Sequence, residues 1–264
     1  MFQYGYLVKA FGIDLSQSEF VLNQSQSIIY LICIAACMIV AYLLGSINTG
    51  IIVSRALYRE DVRTHGSGNA GATNMVRTYG WKAGLLTMMG DMLKAVVAVG
   101  LGYLIVGVDG WFLGEGGKPY HLVNQYGAAI AGLFVMLGHM FPIFFKFKGG
   151  KGVATSGIVI FMISPLAGAV CLLIFLIIVI GTRYVSLGSV MGLTFYPIIL
   201  NAFSHAYAPP RNATACMLSV LMATLVVYMH RENIKRILNR TESKISFKKK
   251  SSQKTTEELE EPQA

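Results

Sequence analysis

Three polar stretches interrupt an otherwise apolar chain, and each carries groups that bind anions. The first, residues 66–80, reads GSGNAGATNMVRTYG. Glycines let backbone N–H groups approach a ligand closely and point at it together. Ser67, Asn69, Thr73 and Asn74 add neutral donors, and Arg77 adds a charged fork matched to phosphate oxygens. The second stretch, KFKGGKGVATSG from Lys146, surrounds Lys151 with Gly149, Gly150 and Gly152 and sets Thr155 just inside an expected helix. A helix N-terminus with bare N–H groups beside a lysine is an anion site in principle. It is not a nucleotide P-loop, which needs Ser or Thr directly after the lysine where this chain has Gly152. The third stretch, HRENIKR, spaces His230, Asn233 and Arg236 along one side of a helix. The histidine could donate to a phosphate or act as acid or base.

Each stretch also has a plainer reading. The first could be a glycine-rich turn with capping side chains and an arginine anchored to lipid phosphate. Lys146 and Lys148 fit simple inside-positive charges, whereas the glycines around Lys151 fit that poorly. The third could be an interfacial helix with ordinary polar residues.

The elements that must position these groups are membrane helices. Of the 264 residues, 54% are hydrophobic and only 13% are charged, against about 25% charged in a soluble domain. Seven apolar spans are expected, at about 28–47, 83–106, 126–145, 153–163, 166–181, 187–203 and 214–230. The apolar run from Val153 to Ile180 would extend about 42 Å as one helix, against a hydrocarbon core of about 30 Å. Pro165 disfavours helix at Ser164, so the run is divided there. With the N-terminus outside, 18 of the 22 Lys and Arg residues then fall on the inner side and three on the outer. Without that break, the basic tail would lie outside. The fold class is therefore all-α, a polytopic membrane protein with seven transmembrane helices, some of them short, and a cytoplasmic C-terminus.

The net charge of +9 is topogenic on this reading, set beside anionic headgroups. No nucleic-acid role is expected. Residues 1–27 read as an N-terminal tail or short surface helix, 28–245 as the membrane domain and 246–264 as a disordered charged tail; 231–250 could extend the last helix along the surface. No cleavable leader is expected.

Other polar residues are weaker candidates. Asp91 and Lys94 stand three apart inside the second span and suit a structural brace. Ser186 and Ser189 open the sixth span on the inner side, where either can face the loops. His139 reads as a buried, hydrogen-bonded histidine; His65, His121 and His205 have no acidic partner in view. Cys33, Cys37, Cys171 and Cys216 read as packing residues. No spacing indicates a metal, and no cofactor is expected.

SGNAGATNMVRTYG, GGKGVAT and HRENIKRIL with its following TE closely resemble the three motifs of the PlsY family, bacterial acyl-phosphate–glycerol-3-phosphate acyltransferases. GSI at 45–47, DMLK at 91–94, GHMFP at 138–142 and RYVSLGS at 183–189 resemble family segments too, so the likeness covers roughly residues 28–245. It implies a seven-helix enzyme of the bacterial inner membrane whose site faces the cytoplasm. It implies transfer of a fatty acyl group from acyl phosphate to the 1-hydroxyl of glycerol 3-phosphate, giving lysophosphatidic acid. Acyl-CoA and acyl carrier protein are not direct donors on that reading. By motif position Ser67, Asn69, Thr73, Asn74 and Arg77 carry over from the first motif. Gly149, Gly150, Lys151, Gly152 and Thr155 carry over from the second, His230 and Asn233 from the third, and Ser189 from SLGS. The chain departs from the family's usual GSIPFG at GSINTG, with Asn48 where proline is usual.

The residues fit this chemistry independently. Two phosphate substrates, one with a lipid tail, need two anion sites at a membrane surface. Acyl phosphate has a good leaving group, so positioning and charge stabilisation suffice without a covalent nucleophile. Ser67, Arg77, Lys151, His230 and Asn233 are the expected catalytic group. The alternative from another class is a transporter or channel for a phosphorylated metabolite, which would more often show inverted repeats.

Overall fold

The computed structural model describes residues 24–107, 121–207 and 213–245. Among these there are ten α-helices and two short 3-10 turns, with no strand. The helices are α1 (Gln24–Ser46), α2 (Thr49–Tyr58), α3 (Ala72–Tyr79), α4 (Trp81–Gly107), α5 (His121–Met140), α6 (Val153–Ile163), α7 (Pro165–Thr182), α8 (Val185–Tyr207), α9 (Ala213–Met229) and α10 (Arg231–Leu238).

Apolar residues face all sides of the long helices, as a membrane requires. Leu31, Leu93, Leu104, Ile177, Ile180 and Ile198 are all more than half exposed, which in water would be an aggregation hazard and in lipid is solvation. Five segments are long and apolar enough to cross: Ile28–Tyr58, Trp81–Val106, Tyr126–Phe145, Pro165–Thr182 and Val185–Phe203. A sixth is added if Ala215–Met229 and Arg231–Leu238, bent by 56°, count as one. α6 stands where the fourth of the seven expected spans lies but has only 11 residues.

The expected break at Pro165 is present. Ser164 leaves the helix with extended backbone and caps α7 by accepting from the Ala167 amide at 3.4 Å, while Pro165 takes the first helical position, where its missing N–H costs nothing. Two other boundaries differ from the expectation. The first helix begins at Gln24, four residues into the expected tail. The chain then forms a separate helix, α2, whose end occupies the start of the expected polar stretch, because buried Asn48 caps it through the Ile51 amide at 3.2 Å. The remaining residues of both expected tails lie outside the described residues.

Helix pairing relies on close approach. A Cβ on Gly102 would lie 2.6 Å from the Gly127 carbonyl oxygen, and one on Gly127 would lie 2.2 Å from that of Gly102. α4 and α5 thus touch backbone to backbone, the usual route to packing where lipid and side chain are equally apolar. The main core joins Cys37 and Ala41 of α1, Ala95 and Val99 of α4, Val135 and Met136 of α5, and Met222 and Val226 of α9. A small separate core of Ile51, Val62, Ala70, Met75 and Ala83 lies under the loop between α2 and α3.

Candidate active site

That small core anchors the first polar stretch. Val62 and Ala70 are fully buried and pin the two ends of the 62–70 loop. Between them, buried Asn74 organises the backbone. Its Nδ2 donates to the carbonyls of Val62 (3.1 Å), His65 (3.0 Å) and Asn69 (2.9 Å), and its Oδ1 accepts from the Ser67 amide at 2.9 Å. Gly66 is needed here: its φ is +56°, and a Cβ would stand 2.3 Å from Asn74 Oδ1. The Asn69 side chain accepts from the Gly71 amide at 3.0 Å. Asn69 and Asn74 therefore shape the loop, while Ser67 is exposed on it and Thr73 and Arg77 are exposed on α3. α3 follows Gly71 with no side-chain cap, so the N–H groups of Ala72 and Thr73 at its start are open to a ligand, while that of Asn74 donates to Gly71 O.

The second stretch folds back on the end of α5. The Gly149 amide donates to Met140 O and that of Gly150 to His139 O, both at 3.1 Å. A Cβ on Gly150 would lie 2.1 Å from His139 Nε2, so only glycine allows this approach. Close packing on His139 thus accounts for part of the glycine pattern around Lys151. Gly152, at φ +78°, opens α6, which likewise has no side-chain cap. By contrast α2 and α7 are capped by Asn48 and Ser164. The helices that follow the two glycine-rich stretches thus both start without a side-chain cap, as does α10 at His230. Thr155 is fully buried and its hydroxyl has no hydrogen-bond partner.

The third stretch meets the second. The Lys151 ammonium donates to Asn233 Oδ1. Burial, helped by the positive charges of Arg236 and Arg77, pulls the Lys151 pKa down to about 8, with Glu242 opposing. One lysine thus senses the first and third stretches together. His230, buried at the bend between α9 and α10, places Nδ1 2.8 Å from Val226 O. A carbonyl can only accept, so Nδ1 carries the proton and Nε2 is the bare nitrogen of the neutral ring.

Two residues outside the expected set complete this cluster. The Glu242 carboxylate accepts from Asn233 Nδ2 at 2.6 Å, from Arg236 Nε at 2.7 Å and from the Ser186 hydroxyl. Burial tends to raise its pKa, but the bonds from Ser186, Asn233 and Arg236 outweigh that and hold it below the ordinary value. Asn233 also donates to Ser186 Oγ at 2.9 Å. Ser189, three residues on, is buried and donates to Val185 O within its own helix at 2.8 Å. The expected extension of the last helix to 250 is not what the chain does: α10 ends at Leu238. Arg240 turns left-handed at φ +58°, and the Ile245 amide returns to Arg183 O at 3.0 Å. That return brings Glu242 to Ser186.

The remaining polar candidates form structural pairs. Lys94 lies 3.0 Å from Asp91 and 2.9 Å from His139 Nδ1, and donates to the carbonyls of Gly45 and Ile47. The expected brace and the expected buried histidine are one cluster. His65, expected without an acidic partner, pairs with Glu60 at 3.1 Å because the turn at 59–65 brings them together. Cys37 and Cys171 are buried, Cys33 and Cys216 half-buried, and none of the four is in a disulfide.

Residues 35–240 match the family described as glycerol-3-phosphate acyltransferase. The chain is 40% identical over 211 residues to a glycerol-3-phosphate acyltransferase of Thermoanaerobacter pseudethanolicus, covering 80% of this chain and 94% of the relative. Its fold is similar to the crystal structure of PlsY (YgiH), an integral membrane glycerol 3-phosphate acyltransferase, in the glycerol 3-phosphate form. The TM-score is 0.65 at 34% identity, over 81% of this chain and 96% of that one. It is also similar to the lysophosphatidic acid form of that protein, with TM-score 0.63 at 33% identity over 81% and 95%.

Proposed function

This chain belongs to the glycerol-3-phosphate acyltransferase family, PlsY type, and on that premise we propose the reaction it runs. It transfers a fatty acyl group from acyl phosphate to the 1-hydroxyl of glycerol 3-phosphate, releasing lysophosphatidic acid and inorganic phosphate. The observation that carries this reading is the convergence on Lys151 of Asn233, Arg236 and Arg77 beside two uncapped helix starts. Family membership also makes the chain an enzyme, which sets aside the transporter alternative.

Arg77, Lys151 and Asn233 hold the phosphate of glycerol 3-phosphate. Ser67, Thr73 and the open N–H groups at the start of α3 hold the acyl phosphate, with Asn69 and Asn74 shaping the loop before it. Gly149, Gly150 and Gly152 bring Lys151 to its place, with Thr155 and Ser189 in the supporting wall. The glycerol hydroxyl attacks the acyl carbonyl, the bond from the carbonyl carbon to the phosphate oxygen breaks, and the phosphate leaves with the bonding pair. Cations and N–H dipoles stabilise the charge that develops on the carbonyl and leaving phosphate. The hydroxyl proton passes to a phosphate oxygen of the substrate, with His230 Nε2 as the second candidate. Attack needs no protein nucleophile, because the mixed anhydride is already activated.

The topology that serves this has seven spans, with the N-terminus outside and the site facing the cytoplasm of a bacterial inner membrane. The test uses detergent-purified protein with acyl phosphate and labelled glycerol 3-phosphate. Lysophosphatidate should form without a membrane barrier. Product from acyl-CoA but not from acyl phosphate would refute the donor assignment. A folded Lys151→Ala protein with near-normal transfer would refute the site, and a wild-type rate in His230→Ala would remove His230 from the chemistry.

A further inference from the structure

Arg63 lies outside the three motifs, and its guanidinium joins the approaches to two of them. Nε and Nη2 grip Asp61 at 2.9 and 2.8 Å, while Nη1 donates to both Phe145 O and Lys148 O at 2.9 Å. Its base is fixed: Asp61 also accepts from the Arg63 amide at 3.1 Å, and Val62 between them is fully buried. Asp61 is steadied further by Arg55 at 2.8 Å, whose guanidinium lies over the Phe145 ring at 5.7 Å. The far side of the contact is a tight turn in which Lys146 and Phe147 both have φ +57°. Such a left-handed pair is costly for non-glycine residues and persists when its surroundings hold it.

We infer that Arg63 is a positioning residue: a latch that sets the first glycine-rich loop and the lysine loop at a fixed separation. Ser67 follows Arg63 by four residues and Lys151 follows Lys148 by three, so the latch ties the roots of both anion sites. All three guanidinium nitrogens are engaged by the chain, which separates it from the exposed Arg77 as a substrate ligand. An exposed ion pair alone would matter little. Here the arginine is four-fifths buried and bridges positions 82 and 85 residues apart in the chain. With acyl phosphate on the first stretch and glycerol 3-phosphate held between Arg77 and Lys151, the two react only when the stretches are in register, and a displacement of about 1 Å can cost up to about a hundredfold in rate.

This inference rests on the proposed reaction, and its test separates the two. Arg63→Ala and Arg63→Lys are assayed in detergent with acyl phosphate and glycerol 3-phosphate. Melting temperature and amide hydrogen exchange are followed in parallel. In R63A, kcat should fall by about tenfold or more; any rise in the KM for glycerol 3-phosphate, whose phosphate Arg77 and Lys151 share, should be smaller than that fall, and the KM for acyl phosphate should move less than about threefold. R63K should fall between, since one ammonium cannot grip Asp61 and both carbonyls together. Millimolar methylguanidinium should restore part of the R63A rate. Exchange at residues 145–150 should quicken in R63A without a matching fall in melting temperature. Wild-type kcat in folded R63A, or a loss confined to the KM of one substrate, would overturn the latch. If R63A does not fold, wild-type kcat in R63K overturns it equally. A wild-type protein inactive with these substrates refutes the proposed reaction instead. The exchange measurement then decides the latch alone, and unchanged exchange at 145–150 refutes it.

Discussion

Lys151 is a lysine whose charge depends on ordinary pH. Burial and two neighbouring cations bring its pKa to about 8, so its charge is complete below that value and is lost as pH rises through it. The phosphate of glycerol 3-phosphate is already close to a dianion there, since such phosphates titrate near about 6. The KM for glycerol 3-phosphate should therefore rise by about tenfold per pH unit above the lysine's pKa in the limit where only the cation binds. Lys151→Arg, if it folds, should flatten that rise because guanidinium stays charged; the same slope in K151R would assign the titration elsewhere. Ser186 and Ser189 make a second test at this scale. Motif position points to Ser189, whereas the structure puts Ser186 against Asn233 and Glu242 and turns Ser189 into its own helix. Ser186→Ala should lower kcat/KM by about tenfold, the loss expected for one charged hydrogen bond, and Ser189→Ala should change it by less than about threefold. The reverse order in steady-state kinetics would return the role to Ser189. The Ser186–Glu242 contact was not readable in advance. It depends on the left-handed turn at Arg240 and the return of Ile245 to Arg183, contacts between distant parts of the chain that no local pattern encodes.

At the scale of helices, the legible part was what local chemistry dictates. Pro165 after Ser164 stops one helix and starts another wherever it occurs, and the break is present. The signal for α2 is also there, in Asn48 ahead of TGIIVSRALY, but hydropathy alone ends the first span at 47 and assigns the end of α2 to a polar loop. Asp91, Lys94 and His139 show how spacing gives only half of a cluster. Three-residue spacing on α4 gave the Asp91–Lys94 pair, while His139 and the carbonyls of Gly45 and Ile47 come from two other elements. The cluster ties the end of α1 to α4 and α5, and His139 is the surface on which Gly150 rests. Lys94→Met leaves Asp91 buried without its cation and should cost about 3–5 kcal/mol. Removing both charges, as in Asp91→Leu with Lys94→Met, should cost less than the single change, because no uncompensated ion remains. Thermal unfolding in detergent compares the two; a double variant less stable than K94M would show that the pair contributes more than mutual neutralisation.

For the whole molecule, the site itself constrains the topology without reference to basic residues. Lys151, Ser186, Asn233 and Glu242 are within hydrogen-bond reach of one another in a chain, so the ends of the helices that carry them share one face. The chain must therefore leave that face and return between Lys151 and Ser186, through α6 and α7, and again between Ser186 and Asn233, through α8 and α9. The first excursion is uneven. α7 has 18 residues and rises about 27 Å, near a full hydrocarbon core, whereas α6 has 11 and rises about 16 Å. Two arrangements fit that arithmetic: the pair reaches the far surface because α6 begins deep in the membrane, or it turns back inside. Seven true spans require the first. Leu166, half exposed just beyond the turn, distinguishes them. In a background with Cys33, Cys37, Cys171 and Cys216 replaced, a cysteine at position 166 should react with a membrane-impermeant maleimide from outside intact cells. A cysteine at exposed position 148 should react only after permeabilisation. Protection at 166 from both sides would make α6 and α7 a re-entrant pair. The chain would then have five crossings rather than seven, with every contact of the site unchanged, since an excursion that turns back early still returns to the same face.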